Sequence, residues 1–382
     1  MVDVSISGFA DAKFARVTEL FCKNISNGDD VGASFSATVE GETVVDIWGG
    51  WRDEGRTAAW EEDTIVNVYS TTKTMAALCA LILADKNLLD FEAPVSRYWP
   101  EFAANGKAQI KVRHILAHSS GLSGWAEPIV QDDLYDWEKA TALLAAQAPY
   151  WDPGSAPGYH AFTQGYLVGE IVRRITGKSI GTFFREEVAD PLGADFHIGL
   201  AEEHHGRVAD LIPPPAAATI DEGLGDLPPN ELFVNMVSNP PIDPLATRTR
   251  EWRNAEIPAA GGHGNARSIA LIHSILANGG MANGKRFLSE AGSRRTLKPE
   301  VVGMDLVLGI PARFSLGFGL KDMIPLPNSN CIFWGGYGGS LAIIDMDTRM
   351  SIGFAMNKMG ATTIGDARGL GMADAMWAAL LS

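Results

Sequence analysis

Two residue types three positions apart, Ser70 and Lys73, could do nucleophilic chemistry together. On a helix that spacing puts both on one face, one turn apart. A lysine that has lost its proton can take one from a serine hydroxyl, and the serine can then attack an acyl carbon. A hydroxyl at a helix N-terminus also feels the positive end of the helix dipole, which favours a developing alkoxide. The bland alternative is an N-cap serine beside a solvated lysine, because Ser-x-x-Lys alone is a weak pattern.

The surrounding elements must decide. Before the serine, Thr64, Ile65, Val66 and Val68 form a β-branched run that predicts a strand or extended entry. After it, Lys73–Leu83 is rich in Ala, Leu and Met and predicts a buried helix. About 90 residues on, the loop Trp151-Asp152-Pro153-Gly154-Ser155-Ala156-Pro157-Gly158 delivers Tyr159 to the next segment. A phenol near a lysine can serve as general base to the serine and then as acid to a leaving group. Tyr166 competes for that role from nearly the same helical face. Near the end, Phe333-Trp334-Gly335-Gly336-Tyr337-Gly338-Gly339-Ser340 has four glycines in five positions after a strand. Such a stretch permits close backbone approach, so the N–H groups of Tyr337 and Ser70 could both reach an acyl oxygen.

The chain has 382 residues and 46% hydrophobic content, enough for two domains or one domain with a large insertion. A net charge of −15 excludes a general nucleic-acid binder and electrostatic attachment to anionic membranes. Cys22, Cys79 and Cys331 are odd in number and far apart, which predicts free thiols in a reducing, cytoplasmic compartment. No early stretch has the pattern of a secretory signal, and no apolar run is long enough to span a bilayer.

In chain order, the spacing predicts a helix over Lys13–Cys22 and a β-hairpin over Gly32–Trp51. Short helices follow at Val112–His118, Trp137–Gln147 and Gln164–Thr176. Residues 211–245 are rich in proline and predict a long, packed lid loop. The last third predicts a helix over Ala266–Ala277, strands at Phe314–Leu320, Cys331–Trp334, Leu341–Met346 and Met350–Ala355, and a final helix near Arg368–Leu381. The expected class is α/β: a mainly antiparallel sheet flanked by helices, carried by 1–100 and 260–382, with an all-helical insertion over 101–259.

Other chemical patterns fare worse. Gly177-Lys178-Ser179-Ile180-Gly181 has the form of a nucleophile elbow, but a helix precedes Ser179 where a strand is needed. It predicts a helix stop and an N-cap. Glu202-Glu203-His204-His205 lacks the histidine spacing of a zinc helix, so no metal is expected. No phosphate-binding glycine fingerprint opens a helix, and no cofactor is expected.

Ser70-Thr71-Thr72-Lys73, His118-Ser119-Ser120-Gly121-Leu122, the Tyr159 segment and Trp334-Gly335-Gly336 together resemble the serine β-lactamase and penicillin-binding-protein superfamily. More closely, they resemble the class C β-lactamase-like esterases called family VIII carboxylesterases. The resemblance runs over roughly residues 13–380. It implies a β-lactamase-like fold with the site between the sheet and the helical region. It implies Ser70 as acyl nucleophile, Lys73 and Tyr159 sharing the base and proton-shuttle role, and the N–H groups of Ser70 and Tyr337 as oxyanion hole. Trp334, Gly335, Gly336 and His160 are expected to line the substrate site. Two departures narrow the chemistry. Tyr159-His160-Ala161 stands where β-lactamases have Tyr-x-Asn, and Trp334 stands at the lysine of Lys-Thr-Gly. Both remove groups suited to an anionic β-lactam, so a small-molecule short-chain ester is the expected substrate. A β-lactamase or D-amino-acid peptidase, an acyltransferase and a non-catalytic binding protein are the competing readings. The oligomeric state is not readable.

Overall fold

The apolar runs of the last third, such as Leu341-Ala342-Ile343-Ile344, are continuous rather than alternating, as expected for strands buried on both faces. In the computed structural model, which describes residues 6–214, 230–362 and 365–381, these runs form the middle of a nine-stranded sheet. Its order runs from Ile6–Ala10 through Glu42–Gly50, Gly32–Val39, Met350–Met356, Leu341–Asp345, Cys331–Gly335, Gly319–Leu320 and Pro311–Phe314 to Val301–Met304. Every neighbouring pair is antiparallel.

Period-two alternation splits the strands between two cores. Phe333, Ile343 and Phe354 face the helices Ala15–Ser26 and Ala367–Leu381, whose Phe21, Ile25, Met376 and Trp377 pack against them. Ile332, Ala342 and Ile344 face the other way, toward the helices Ala266–Ala277 and Thr72–Asp85. The Thr72–Asp85 helix is buried almost all round, which explains why its sequence lacks a polar stripe.

The hairpin, the sheet-flanking helices and the C-terminal helix fall where the sequence predicts them, within a few residues. One predicted strand does not. Phe314–Leu320 is two short strands separated by a turn at 315–318, where Gly317 (φ +85°) lies against Ala77. A Cβ at Gly317 would sit 2.2 Å from the Cβ of Ala77, so only glycine allows this approach.

Among the described residues between 101 and 259 helices are the main regular structure, the longest being Trp137–Ala146 and Thr163–Thr176. The stretch is not wholly helical. Phe196–Ile198 and Val208–Ala209 join Gly262–Gly264 and Ile65–Asn67 in a second, four-stranded sheet. That small sheet carries the chain into Ser70. No helix among the described residues is long and apolar enough to cross a membrane.

Candidate active site

The strand Ile65–Asn67 is held on both sides by the small sheet, and Val68 N–H donates to the Gly262 carbonyl at 2.9 Å. The chain then turns sharply. Tyr69 adopts φ +41°, a costly conformation for a bulky residue, and edge contacts with the rings of Trp252 and Tyr337 hold it there. Tyr69–Thr71 make a 3-10 turn that leads into the helix Thr72–Asp85. Ser70 thus sits in the first turn, where backbone N–H groups lack intrahelical partners.

The glycine-rich stretch docks on this turn through named bonds. Ser340 Oγ donates to the Val68 carbonyl at 2.7 Å, and Thr71 Oγ1 lies 2.9 Å from Ser340 Oγ. Gly336 lies so close that a Cβ there would be 2.2 Å from the Val68 oxygen. Gly336, Gly338 and Gly339 each give their N–H to a carbonyl, while the N–H of Tyr337 is bonded to none among the described residues.

Lys73 Nζ lies 2.9 Å from Ser70 Oγ, 2.7 Å from the Ala161 carbonyl and 2.9 Å from the Ala259 carbonyl. All three acceptors are uncharged. With Lys73 fully buried, desolvation holds its pKa well below the ordinary lysine range. A neutral amine has two N–H bonds and one lone pair. The carbonyls can only accept, so they take both N–H bonds and the lone pair is left for the Ser70 proton. Tyr159 closes the cluster, its hydroxyl 2.7 Å from Ser70 Oγ. Burial pushes this phenol above its ordinary pKa, the hydrogen bond with Ser70 offsets part of that, and the charge of Asp305 adds to it. The two shifts run in opposite senses: burial favours the protonated phenol at Tyr159 and the neutral amine at Lys73.

The loop before Tyr159 is pinned by Gly158 N–H donating to the His118 carbonyl at 2.8 Å, and the Trp151 ring lies over Gly158. Trp334 packs beside Tyr159 and stacks on His118, with ring centroids 5.2 Å apart and planes 10° from parallel. Phe314, Val307, Phe233 and Met236 complete an apolar wall around Tyr159 and Trp334. Phe233 and Met236 come from the proline-rich region expected to be a lid loop. Part of that region, 215–229, lies outside the described residues. Its second part contains a helix, Glu231–Ser238, N-capped by Asn230. Asn235 and Asn239 tie this helix to the Trp125 carbonyl.

The cluster unites Ser70, Lys73 and Tyr159 with Trp334, Gly335 and Gly336 close by. It does not include His160 as a cleft-lining group. That ring is fully buried: Nδ1 donates to the Gly158 carbonyl, while Nε2 takes the Ser120 hydroxyl at 2.7 Å and the Leu122 N–H at 3.3 Å. Burial drives its pKa down to about 3. His160 holds the loop and has no capacity left for substrate. Tyr166 gives its hydroxyl to the Leu134 carbonyl at 2.6 Å and drops out. Ser179 caps the helix Ile180–Phe184 and donates to Glu256. No group of His, Cys, Asp and Glu among the described residues could hold a metal ion.

Sequence reasoning missed the Ala259 carbonyl, the Thr71–Ser340 clamp and Asp305, which accepts the Tyr159 N–H at 3.1 Å. The clamp residues do sit inside the quoted motifs. The carbonyl and Asp305 left no local signal.

A serine hydroxyl within hydrogen-bond reach of a buried lysine and a phenol is an arrangement suited to acyl transfer. The β-lactamase family model matches residues 21–375, and the chain belongs to that family. It is 34% identical over 375 residues to the esterase/beta-lactamase LipL of Mycobacterium tuberculosis, a match covering 93% of this chain and 83% of LipL. Among solved structures, it is similar to a family VIII carboxylesterase at 40% identity and a TM-score of 0.92, covering 98% of this chain and 100% of that one. A penicillin-binding protein homologue from Caulobacter crescentus is 36% identical with a TM-score of 0.90, at the same coverage.

Proposed function

We propose that this protein hydrolyses short-chain carboxylic esters through an acyl-enzyme on Ser70. The chain is a serine ester hydrolase. The observation that carries the proposed residue roles is the Lys73 amine, buried among two carbonyls and one hydroxyl with no acid.

In acylation Ser70 Oγ attacks the ester carbonyl carbon while its proton passes to Lys73 Nζ. The carbonyl oxygen becomes an oxyanion that accepts from the N–H groups of Ser70 and Tyr337, each such donor being worth about 10²–10³ in rate. The tetrahedral centre then collapses and the bond to the leaving alkoxide breaks. The alkoxide takes the Tyr159 proton, and the Lys73 ammonium restores it. In deacylation a water gives a proton to Lys73 Nζ and attacks the acyl carbon; the tetrahedral centre collapses, the bond to Ser70 Oγ breaks, and Oγ takes that proton back from Lys73, which leaves the acid and the free enzyme.

Trp334 offers apolar surface and no charge, which suits a neutral ester better than a β-lactam carboxylate. Neither metal nor cofactor enters these steps. We assign the sheet-bearing unit to 1–100 and 260–382 and the insertion to 101–259, with the cleft between them. Free Cys22, Cys79 and Cys331 support a cytoplasmic setting.

Intact-mass analysis after treatment with a p-nitrophenyl phosphonate ester is the direct test. The expected result is one adduct, absent in Ser70→Ala, with p-nitrophenyl butyrate turnover reduced by at least about 10⁴-fold in that variant. An adduct that survives Ser70→Ala overturns the proposal. Turnover of a chromogenic cephalosporin at the ester rate would favour the β-lactam reading.

A further inference from the structure

Asp305 lies in the turn between Val301–Met304 and Pro311–Phe314, at the edge of the large sheet. Its side chain is buried. Oδ1 accepts three backbone N–H groups: Val307 at 2.9 Å, Leu308 at 2.8 Å and Tyr159 at 3.1 Å. The first two close the turn, as aspartates in turns commonly do. The third reaches across the fold, 146 residues back in sequence. Beside it, Leu306 N–H donates to the Pro157 carbonyl at 2.8 Å. Asn230, the cap of the Glu231–Ser238 helix, donates to the Leu306 carbonyl at 3.1 Å. One turn therefore holds both the tyrosine segment and the helix that walls the cleft. The other carboxylate oxygen, Oδ2, is buried without a hydrogen-bond partner among the described residues.

Closing the turn does not need a bond to residue 159, and burying a half-paired carboxylate is costly. The extra bond does something else: it fixes the main chain from which the Tyr159 ring projects to Ser70. A long, rigid ring magnifies small backbone shifts at its hydroxyl, and a misplacement of about 1 Å can cost about 10²-fold in rate. We infer that Asp305 is the positioning residue for Tyr159, holding its backbone N–H so that the phenol stays on Ser70 Oγ. Asp305 touches neither substrate nor phenol. The inference rests on the reading of Ser70, Lys73 and Tyr159 as the acyl-transfer machinery.

Three substitutions separate the possibilities. Asp305→Asn keeps the Oδ1 acceptor, and because Oδ2 has no partner its amide breaks no bond. Asp305→Ala removes the acceptor. Asp305→Glu keeps the carboxylate but displaces it by one methylene. The readout is kcat and KM for p-nitrophenyl butyrate on variants whose near-ultraviolet circular dichroism matches the parent. Asp305→Ala and Asp305→Glu are expected to lose about 10–100-fold in kcat, with KM changed by less than about threefold. Asp305→Asn is expected to stay within about threefold of the parent kcat. Parent-like kcat in Asp305→Ala overturns the inference, as does a loss carried by KM or an Asp305→Asn as slow as Asp305→Ala. If Asp305→Ala does not fold, Asp305→Glu against Asp305→Asn makes the same decision. Ser70→Ala runs in parallel. A phosphonate adduct that survives it overturns the nucleophile reading. An adduct lost in Ser70→Ala together with parent-like kcat in Asp305→Ala overturns the Asp305 inference alone.

Discussion

Two cations, Lys73 in the candidate site and the largely buried Arg368 beside it, are pushed in opposite directions. Lys73 sees only carbonyls and a hydroxyl, and burial pushes its pKa well below the ordinary lysine range. Arg368 is almost as deeply placed, but Nη1 meets Asp30 at 2.6 Å and Nη2 pairs with Asp366. Burial works against the arginine charge, yet Asp30 and Asp366 together outweigh it and hold Arg368 above its ordinary range. The charged arginine then donates to the Gly338 carbonyl at 2.7 Å, on the residue after Tyr337. One cation is placed to lose its charge beside the proposed nucleophile. The other is placed to keep its charge and brace the loop that carries the proposed oxyanion donor. Burial alone does not decide a cation's state; the acids within reach do. Lys107 makes the point sharper. It too is buried against two carbonyls, of Ala104 and Gln147, and desolvation pulls it down to about 8. What separates Lys73 is the serine hydroxyl at its third position.

The largest expected effect comes from abolishing the contrast. Lys73→Arg places a permanently protonated group where burial favours a neutral amine. Ester kcat/KM is expected to fall by about 10³-fold or more, as for loss of a general base. Activity within about tenfold of the parent would break the comparison. Removing the opposite member should act on stability instead. Arg368→Met leaves Asp30 and Asp366 without their shared partner and should lower the unfolding free energy by about 3–5 kcal/mol, read by urea titration. A variant as stable as the parent would mean that the arginine does not need its charge.

The smallest effect is a pH dependence. Burial raises the Asp30 carboxyl from 3.8 to about 6, although the Arg368 charge opposes this. The folded state thus binds the proton more tightly than the unfolded chain. The stability from this group is fully present below about pH 3.8 and is lost as pH rises through about 6. Asp30→Asn removes this titration. The stability of parent relative to variant should fall by about 2–3 kcal/mol between pH 4 and pH 7. A pH-independent difference in urea titrations would show that Asp30 does not carry the titration.

Much of this site is legible before folding. Ser70, Lys73 and Tyr159 announce themselves by residue type and spacing, and the glycines around Tyr337 announce close backbone approach. The Arg368 brace is not legible, because its aspartate partner at 30 lies 338 residues away and only the sheet brings them together. His160 misleads for a related reason. Adjacency to Tyr159 gives no hint of which side its ring faces, and the ring turns into Ser120 and Gly158. The Glu231–Ser238 helix was hidden by the prolines around it, although Asn230 and the spacing of Phe233, Met236 and Val237 are a cap and a short apolar stripe.

The two carbonyls that hold Lys73 carry no side-chain identity. The oxygen at 161 does not depend on the side chain there, whereas Ala259 is itself fully buried against the helix at Gly165. A packing constraint falls on a neighbouring helix. Gly165, on the helix Thr163–Thr176, lets 258–259 lie against it: a Cβ there would be 2.4 Å from the Ala259 nitrogen. A single added methyl would displace the segment whose Ala259 carbonyl holds the Lys73 amine. The placing of the amine thus depends on a glycine in the neighbouring helix.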